Sequence, residues 1–264
     1  MARANRHYIP GYIWHITHRC HKKEFLLKFG RDRRRWVEWL FEAKKRFRAS
    51  ILNYTVTSNH IHLILRDIAG EDDIPQTLQL VAGRTAQEYN QRKKRKGAFW
   101  EDRYHATAIE ADDHLARCMV YVDMNMVRAG VVGHPKEWPF SGYNEIQEPR
   151  LRYSVIDYDS LLEVFDCASM ADFSEMYRSW VEEAIEKSNC LRRQSYWTES
   201  LAVGSAAFVT KTREELGIRG RGRKMTFSDG CFSLQEPTTP YTGDFAPQNG
   251  ILRHANEYFL RDIS

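Results

Sequence analysis

Two strand-like runs separated by only two residues constrain this chain more than any other feature. Residues 51–57 (ILNYTVT) and 60–66 (HIHLILR) are rich in β-branched, aromatic and aliphatic side chains, with only Ser58 and Asn59 between them. So short a turn leaves antiparallel pairing as the way to satisfy both backbones. Period-two geometry then puts His60 and His62 on one face, and Ile61, Leu63 and Leu65 on the other, toward a core.

The elements around this hairpin follow from periodicity. Residues 12–19 (YIWHITHR) alternate apolar and polar side chains as a strand does, and residues 99–109 contain another strand. Residues 32–48 carry Trp36, Val37, Leu40, Phe41 and Phe47 at helical spacing. A second helix opens near Pro75 and runs to about Arg92, where cationic residues and Gly97 end it. A third starts after Asp112, in N-cap position, runs to Arg128 and stops at Gly130. The order β-α-β-β-α-β plus one helix predicts an α+β, ferredoxin-like antiparallel sheet with helices on one face.

Past residue 150 the chain changes character. Residues 151–225 read as a mostly helical, basic extension, with helices over 170–188 and 205–216, the pair Arg192 and Arg193, and a run of Arg219, Arg221, Arg223 and Lys224 between glycines. That run suits either a solvated linker or a flexible contact with a polyanion. Residues 226–264, rich in Gly, Pro, Thr and Ser, read as an extended tail tethered by Tyr258, Phe259 and Leu260.

With 42% hydrophobic and 28% charged residues among 264, the chain can bury a core, which excludes wholesale disorder. It has no uninterrupted apolar run of the ~18 residues that a spanning helix needs. Residues 1–10 are basic without an apolar stretch, so secretion is unsupported and a cytoplasmic, nucleoid-associated protein is expected. Five cysteines, odd in number and without a CxxC pair, argue against a disulfide framework or a cysteine zinc site. Charge is unevenly spread: residues 1–50 hold 14 Lys/Arg against 4 Asp/Glu, and residues 101–190 hold 8 against 18. A basic first segment interleaved with Trp14, Trp36 and Trp39 suits phosphate contacts, although a solvated helix face has the same composition.

Two constellations could carry chemistry. His60 and His62 could share a cation, or be a structural pair. Tyr121 and Asn125, four apart on a helix, reach one spot, and a phenol can act as a nucleophile. A tyrosine among Leu115, Met119, Val120 and Val122 is equally at home as a packing residue.

Context joins these features. The stretches Thr57-Ser58-Asn59-His60-Ile61-His62-Leu63, Gly97-Ala98-Phe99-Trp100-Glu101-Asp102-Arg103-Tyr104 and Tyr121-Val122-Asp123-Met124-Asn125-Met126-Val127-Arg128-Ala129-Gly130 resemble, in this order, the REP-associated tyrosine transposases, of the single-tyrosine, His-hydrophobic-His superfamily. The resemblance begins at Pro10-Gly11-Tyr12 and runs through Trp138-Pro139-Phe140-Ser141-Gly142-Tyr143; residues 202–208 also look like the C-terminal region of longer members. Thr57-Ser58 stands where the family usually has Met-Pro, and Met126 where it often has Pro, which would let the third helix run on smoothly.

The resemblance implies that residues 1–150 form a single-tyrosine transposase catalytic domain. Tyr121 would attack a DNA phosphodiester to give a 5′-phosphotyrosine and a free 3′-OH. His60, His62 and Asn125 would hold Mg²⁺ or Mn²⁺. The implied partner is single-stranded DNA beside a palindromic hairpin, bound by a monomer or homodimer. Arg33, Arg34, Arg35, Arg46, Arg48, Lys93, Lys94, Arg95, Lys96 and Arg103 are the candidate DNA contacts. Alternatives are a hairpin-binding regulatory protein with little or no catalysis, and a hydrolytic metal enzyme in which Tyr121 is structural. An RNA-binding ferredoxin-like protein is disfavoured because the strands lack an RNP-type aromatic motif.

Overall fold

The structure is a computed structural model that describes residues 8–68, 73–187, 192–220 and 222–235. The hairpin forms as expected: β2 (Ser50–Val56) pairs antiparallel with β3 (His60–Arg66). On its other side β3 pairs with β1 (Ile13–Arg19), and β1 pairs with β4 (His105–Ile109), both antiparallel. These four strands are the ferredoxin-like unit.

The two faces of this unit are used differently. Helices α1 (Gly30–Phe47) and α2 (Asp73–Arg92) pack together on one of them. That face carries Ile16 and His18 of β1, opposite Leu63 and Ile61 of β3. Trp100 marks the layer: its ring stacks on His18 at 4.2 Å, and its Nε1–H donates to the Ala82 carbonyl at 3.0 Å. The opposite face presents His15, Thr17, His60 and His62, and α3 (Asp113–Asp123) lies over it.

The third helix does not run on smoothly. It breaks at Met124 (φ −71°, ψ 0°) and resumes as the single turn α4 (Asn125–Arg128). Asp112 occupies the N-cap position but makes no side-chain capping bond. The glycine stop is real: Gly130 takes φ +66°, while its N–H and that of Val131 return to Val127 and Met126 carbonyls.

The short α5 (Gly142–Gln147) lies at the end of the first 150 residues, and the extension beyond it is helical, with α6 (Tyr158–Val164), α7 (Met170–Glu186), the one-turn α8 (Tyr196–Glu199) and α9 (Ala206–Glu215). It also adds strands absent from the sequence-based expectation. β5 (Ser200–Gly204) pairs parallel with β4, and β6 (Lys224–Ser228) and β7 (Cys231–Gln235) form a hairpin beside it. One seven-stranded sheet results, in the order β2-β3-β1-β4-β5-β7-β6. Residues 226–235, expected as tail, are thus largely strand, because Asp229-Gly230 supplies the turn that lets two short alternating runs pair. Residues 236–264, with the expected Tyr258–Leu260 tether, and Arg221 lie outside the described residues.

A buried polar cluster ties α3 to the sheet and to the extension. The Asp123 carboxylate accepts from Asn53 Nδ2 at 3.0 Å, Thr55 Oγ1 at 3.3 Å and Tyr177 Oη at 2.5 Å. Burial pushes the Asp123 carboxyl up to about 7, against the downward pull of these donors. Space is tight here: a Cβ on Gly142 would sit 2.2 Å from Asn53 Oδ1. Tyr177→Phe removes one donor while the ring still packs, and is expected to destabilise the protein by about 1–3 kcal/mol. Denaturant unfolding of the two proteins side by side measures that difference.

Candidate active site

The β1–β3 register builds the site. Arg19 lies opposite His60, Thr17 opposite His62 and Ile64 opposite His15, so three imidazoles share one face of two adjacent strands. The His60 and His62 ring centroids are 5.0 Å apart, and those of His15 and His62 5.1 Å. From above, α4 brings the Asn125 amide nitrogen to 2.7 Å from His62 Nε2. One turn earlier, the Tyr121 ring sits 6.0 Å from the His62 ring and 6.3 Å from the His15 ring. The break at Met124 leaves Tyr121 and Asn125 on the same side, because the i to i+4 hydrogen bonds across it persist from Val120 to Met124 and from Met124 to Arg128.

Two of the side chains are oriented from behind. His60 Nδ1 lies 2.7 Å from Asn59 Oδ1 and 2.9 Å from Thr57 Oγ1. An amide oxygen only accepts, so His60 carries its proton on Nδ1 and turns the Nε2 lone pair outward. The Arg128 guanidinium lies 4.1 Å from the Tyr121 ring centroid and donates to the Tyr121 carbonyl at 2.8 Å. Arg128 thus fixes the ring and adds positive charge beside the phenol.

Burial controls protonation. Desolvation, with help from Arg19, lowers His60 to about 4 and takes His62 well below the usual imidazole range. Both are neutral at pH 7, as a metal ligand must be. Tyr121 is 6% exposed, and burial raises its phenol, opposed by Arg128, Arg193 and a hydrogen bond with Thr198. The phenol is therefore protonated at neutral pH. Its cover is α8, where the Trp197 ring lies 6.2 Å from that of Tyr121.

Among the described residues no three His, Cys, Asp or Glu side chains cluster as a metal centre. The donor set on offer is two neutral imidazoles and one amide, with Arg19, Arg128 and Arg193 nearby. Such a set fits a divalent cation that takes its remaining ligands from water and from a phosphate oxygen. The surrounding arginines favour the same anion.

The structure thus brings His60, His62, Asn125 and Tyr121 together. The candidate DNA contacts fall elsewhere, most of them on α1 or just after α1 or α2. Arg33 is half-buried, its guanidinium 4.6 Å from both the Trp138 and the Phe140 ring centroids, and it donates to the Leu27 carbonyl. Arg35 is held by Glu88 and Glu38 at 2.6–2.8 Å. Arg95 is half-buried and bonds Asn90 and the Ala98 carbonyl. Arg34, Arg46, Arg48, Lys93, Lys94, Lys96 and Arg103 are exposed. Sequence reasoning did not select His15, Arg19, Arg128, Arg193, Trp197 or Thr198 for the site. Only the alternation of residues 12–19, which puts His15 and Thr17 on one strand face, could have pointed to the first of them.

Residues 9–125 match the family model described as IS200-like transposases. Among solved structures, the chain is similar to a REP-associated tyrosine transposase bound to a REP hairpin, at 20% identity and a TM-score of 0.47, over 60% of this chain and 95% of that one. It is also similar to a candidate transposase from Deinococcus radiodurans, at 14% identity and a TM-score of 0.33, over 44% of this chain and 90% of that one. No curated protein matches the chain. No helix among the described residues is long and apolar enough to cross a membrane.

The lowered histidines make acid stability a test of this geometry. His15 and His60, both held near 4, stay neutral in the fold, whereas unfolded histidines protonate below about 6.5. The unfolded state then binds the extra protons, so stability falls as pH drops from about 6.5 to 4. Thermal unfolding at pH 7, 5.5 and 4.5 should show Tm descending across that window.

Proposed function

We propose that this protein cleaves and rejoins single-stranded DNA beside a palindromic hairpin through a 5′-phosphotyrosine at Tyr121. The observation that carries this reading is the convergence of Tyr121, His60, His62 and Asn125 on one face of the sheet. The Tyr121 oxygen gives up its proton and attacks phosphorus, the bond from phosphorus to the 3′-oxygen breaks, and that oxygen takes a proton to leave as a 3′-OH. Attack of a 3′-OH on the phosphotyrosine reverses the step and restores the phenol, so rejoining needs no nucleotide cofactor.

His60, His62 and Asn125 would hold the divalent cation, which when bound stabilises charge on the non-bridging oxygens and assists the leaving oxygen. Imidazole donors favour Mn²⁺ over Mg²⁺ in this role. Arg128 keeps the Tyr121 ring in place and eases loss of its proton. Arg34, Arg46, Arg48, Lys93, Lys94, Lys96 and Arg103, all exposed, are the cations free to follow a DNA backbone. The burial of Tyr121 beneath α8 favours a second reading, a hairpin-binding regulatory protein with little catalysis.

A labelled single-stranded oligonucleotide carrying a hairpin from around its own gene distinguishes the two. The wild-type protein should yield a covalent adduct on a denaturing gel, and Tyr121→Phe should reduce it by at least about 10³-fold with hairpin affinity within about threefold. Nicking by Tyr121→Phe at the wild-type rate would leave water as the nucleophile; no adduct from the wild type, with tight hairpin binding, would favour the regulatory reading.

Metal removal is an independent check. EDTA should abolish cleavage, and Mn²⁺ should restore it at a lower concentration than Mg²⁺ does. Cleavage that survives exhaustive chelation would remove His60, His62 and Asn125 from a ligand role.

A further inference from the structure

Behind His62, away from the open side of the site, lies an imidazole that the proposed chemistry does not use. His15 is fully buried in the sheet. Its Nδ1 is 2.8 Å from the carbonyl oxygen of Trp197, and its Nε2 is 2.9 Å from Nδ1 of His62. The proton positions follow from the one member of this chain whose role is fixed. A carbonyl oxygen only accepts, so His15 carries its proton on Nδ1. A neutral imidazole has a single N–H, so His15 Nε2 is an acceptor. His62 must then donate through Nδ1, which leaves its Nε2 as a lone pair directed at Asn125.

We propose that His15 is a positioning residue that fixes the tautomer and ring orientation of His62, with the Trp197 carbonyl of the extension as the anchor of the relay. This rests on the reading of His62 as a metal ligand and deepens it. The pairing is built into the fold. His15 lies opposite Thr107 across β1 and β4, and the Thr107 hydroxyl donates to the Ser200 carbonyl at 2.7 Å and to that of Trp197 at 3.2 Å. The carbonyl at the end of the relay is thereby held from two neighbouring strands. His60 has its counterpart in Asn59 and Thr57, so each imidazole of the pair is oriented by its own partner, one local in sequence and one distant. Partners of this kind commonly alter metal affinity by roughly 10- to 100-fold.

The test uses the full chain and two readouts. In metal-free wild-type protein, long-range proton–nitrogen correlation spectra should show His62 protonated at Nδ1 and bare at Nε2. Calorimetric Mn²⁺ titration should give a Kd raised roughly 10- to 100-fold in His15→Leu, which offers no acceptor. His15→Gln can place an amide oxygen near the former Nε2 and should recover most of the affinity. Thr77→Val, a buried hydroxyl substitution on α2 outside the relay, should bind Mn²⁺ within about threefold of wild type. The proposal is overturned if wild-type His62 is protonated at Nε2, if His15→Leu binds Mn²⁺ as the wild type does, or if Thr77→Val weakens binding as much as His15→Leu. The wild-type spectrum decides the tautomer whether or not His15→Leu folds. A wild type with the expected tautomer but no Mn²⁺ binding would instead overturn the metal reading itself, and with it any positioning purpose for the relay.

Discussion

The antiparallel pairing of β1 with β3 is the constraint on which the rest of the structure depends. Side chains alternate along each strand, so a slip of one residue would turn His62 into the helical layer and Ile61 or Leu63 toward α3. Ile61, Leu63 and Leu65 of β3 hold the register by burying themselves on the face covered by α1 and α2. The histidines are then displayed on the other face as a by-product of hydrophobic burial. Core packing and site geometry are thus two sides of one strand, and neither can be altered without the other.

The extension is bound to this sheet by contacts of several kinds. β5 adds to the edge that β4 would otherwise present to solvent, the Tyr177 hydroxyl of α7 reaches the buried Asp123, and α8 covers Tyr121. Each contact involves a polar group that would be costly to bury alone, so the extension satisfies groups of the ferredoxin-like unit as well as covering them. The segment that matches a transposase model and the segment beyond it therefore share one sheet and one polar core.

Most of the ferredoxin-like unit was legible in the sequence because its signals are local. Strand alternation, a two-residue turn, and helix periodicity ended by Gly130 each lie within a few residues of the element they define; α2, expected to stop at Gly97, is instead closed by Lys94 at φ +49°, with the Arg95 N–H returning to the Asn90 carbonyl. The same holds for the candidate site: the spacing of His60 and His62, and of Tyr121 and Asn125, is a property of one strand and one helix. The distant partners of Arg33 and Arg35 leave no such local signal. Both looked like phosphate contacts, yet one lies against the Trp138 and Phe140 rings and the other is paired with Glu88, 53 residues away, as well as with Glu38. β5 was missed because a five-residue strand that pairs across a long crossover leaves little pattern of its own. His15 was passed over for the same reason, since nothing within residues 12–19 reveals an acceptor near residue 197.

His15 and the carbonyl that anchors it are separated by 182 positions in the chain. A chain made from its N-terminus has the hairpin, both helices of the first layer and the tyrosine-bearing helix before Trp197 exists. Loop closure over such a span comes late, after local contacts have formed. During synthesis the molecule therefore passes through a long interval in which the first four strands can pair while the innermost histidine still lacks its acceptor. The order of manufacture keeps a nearly folded domain from having a finished centre until most of the polypeptide has been made.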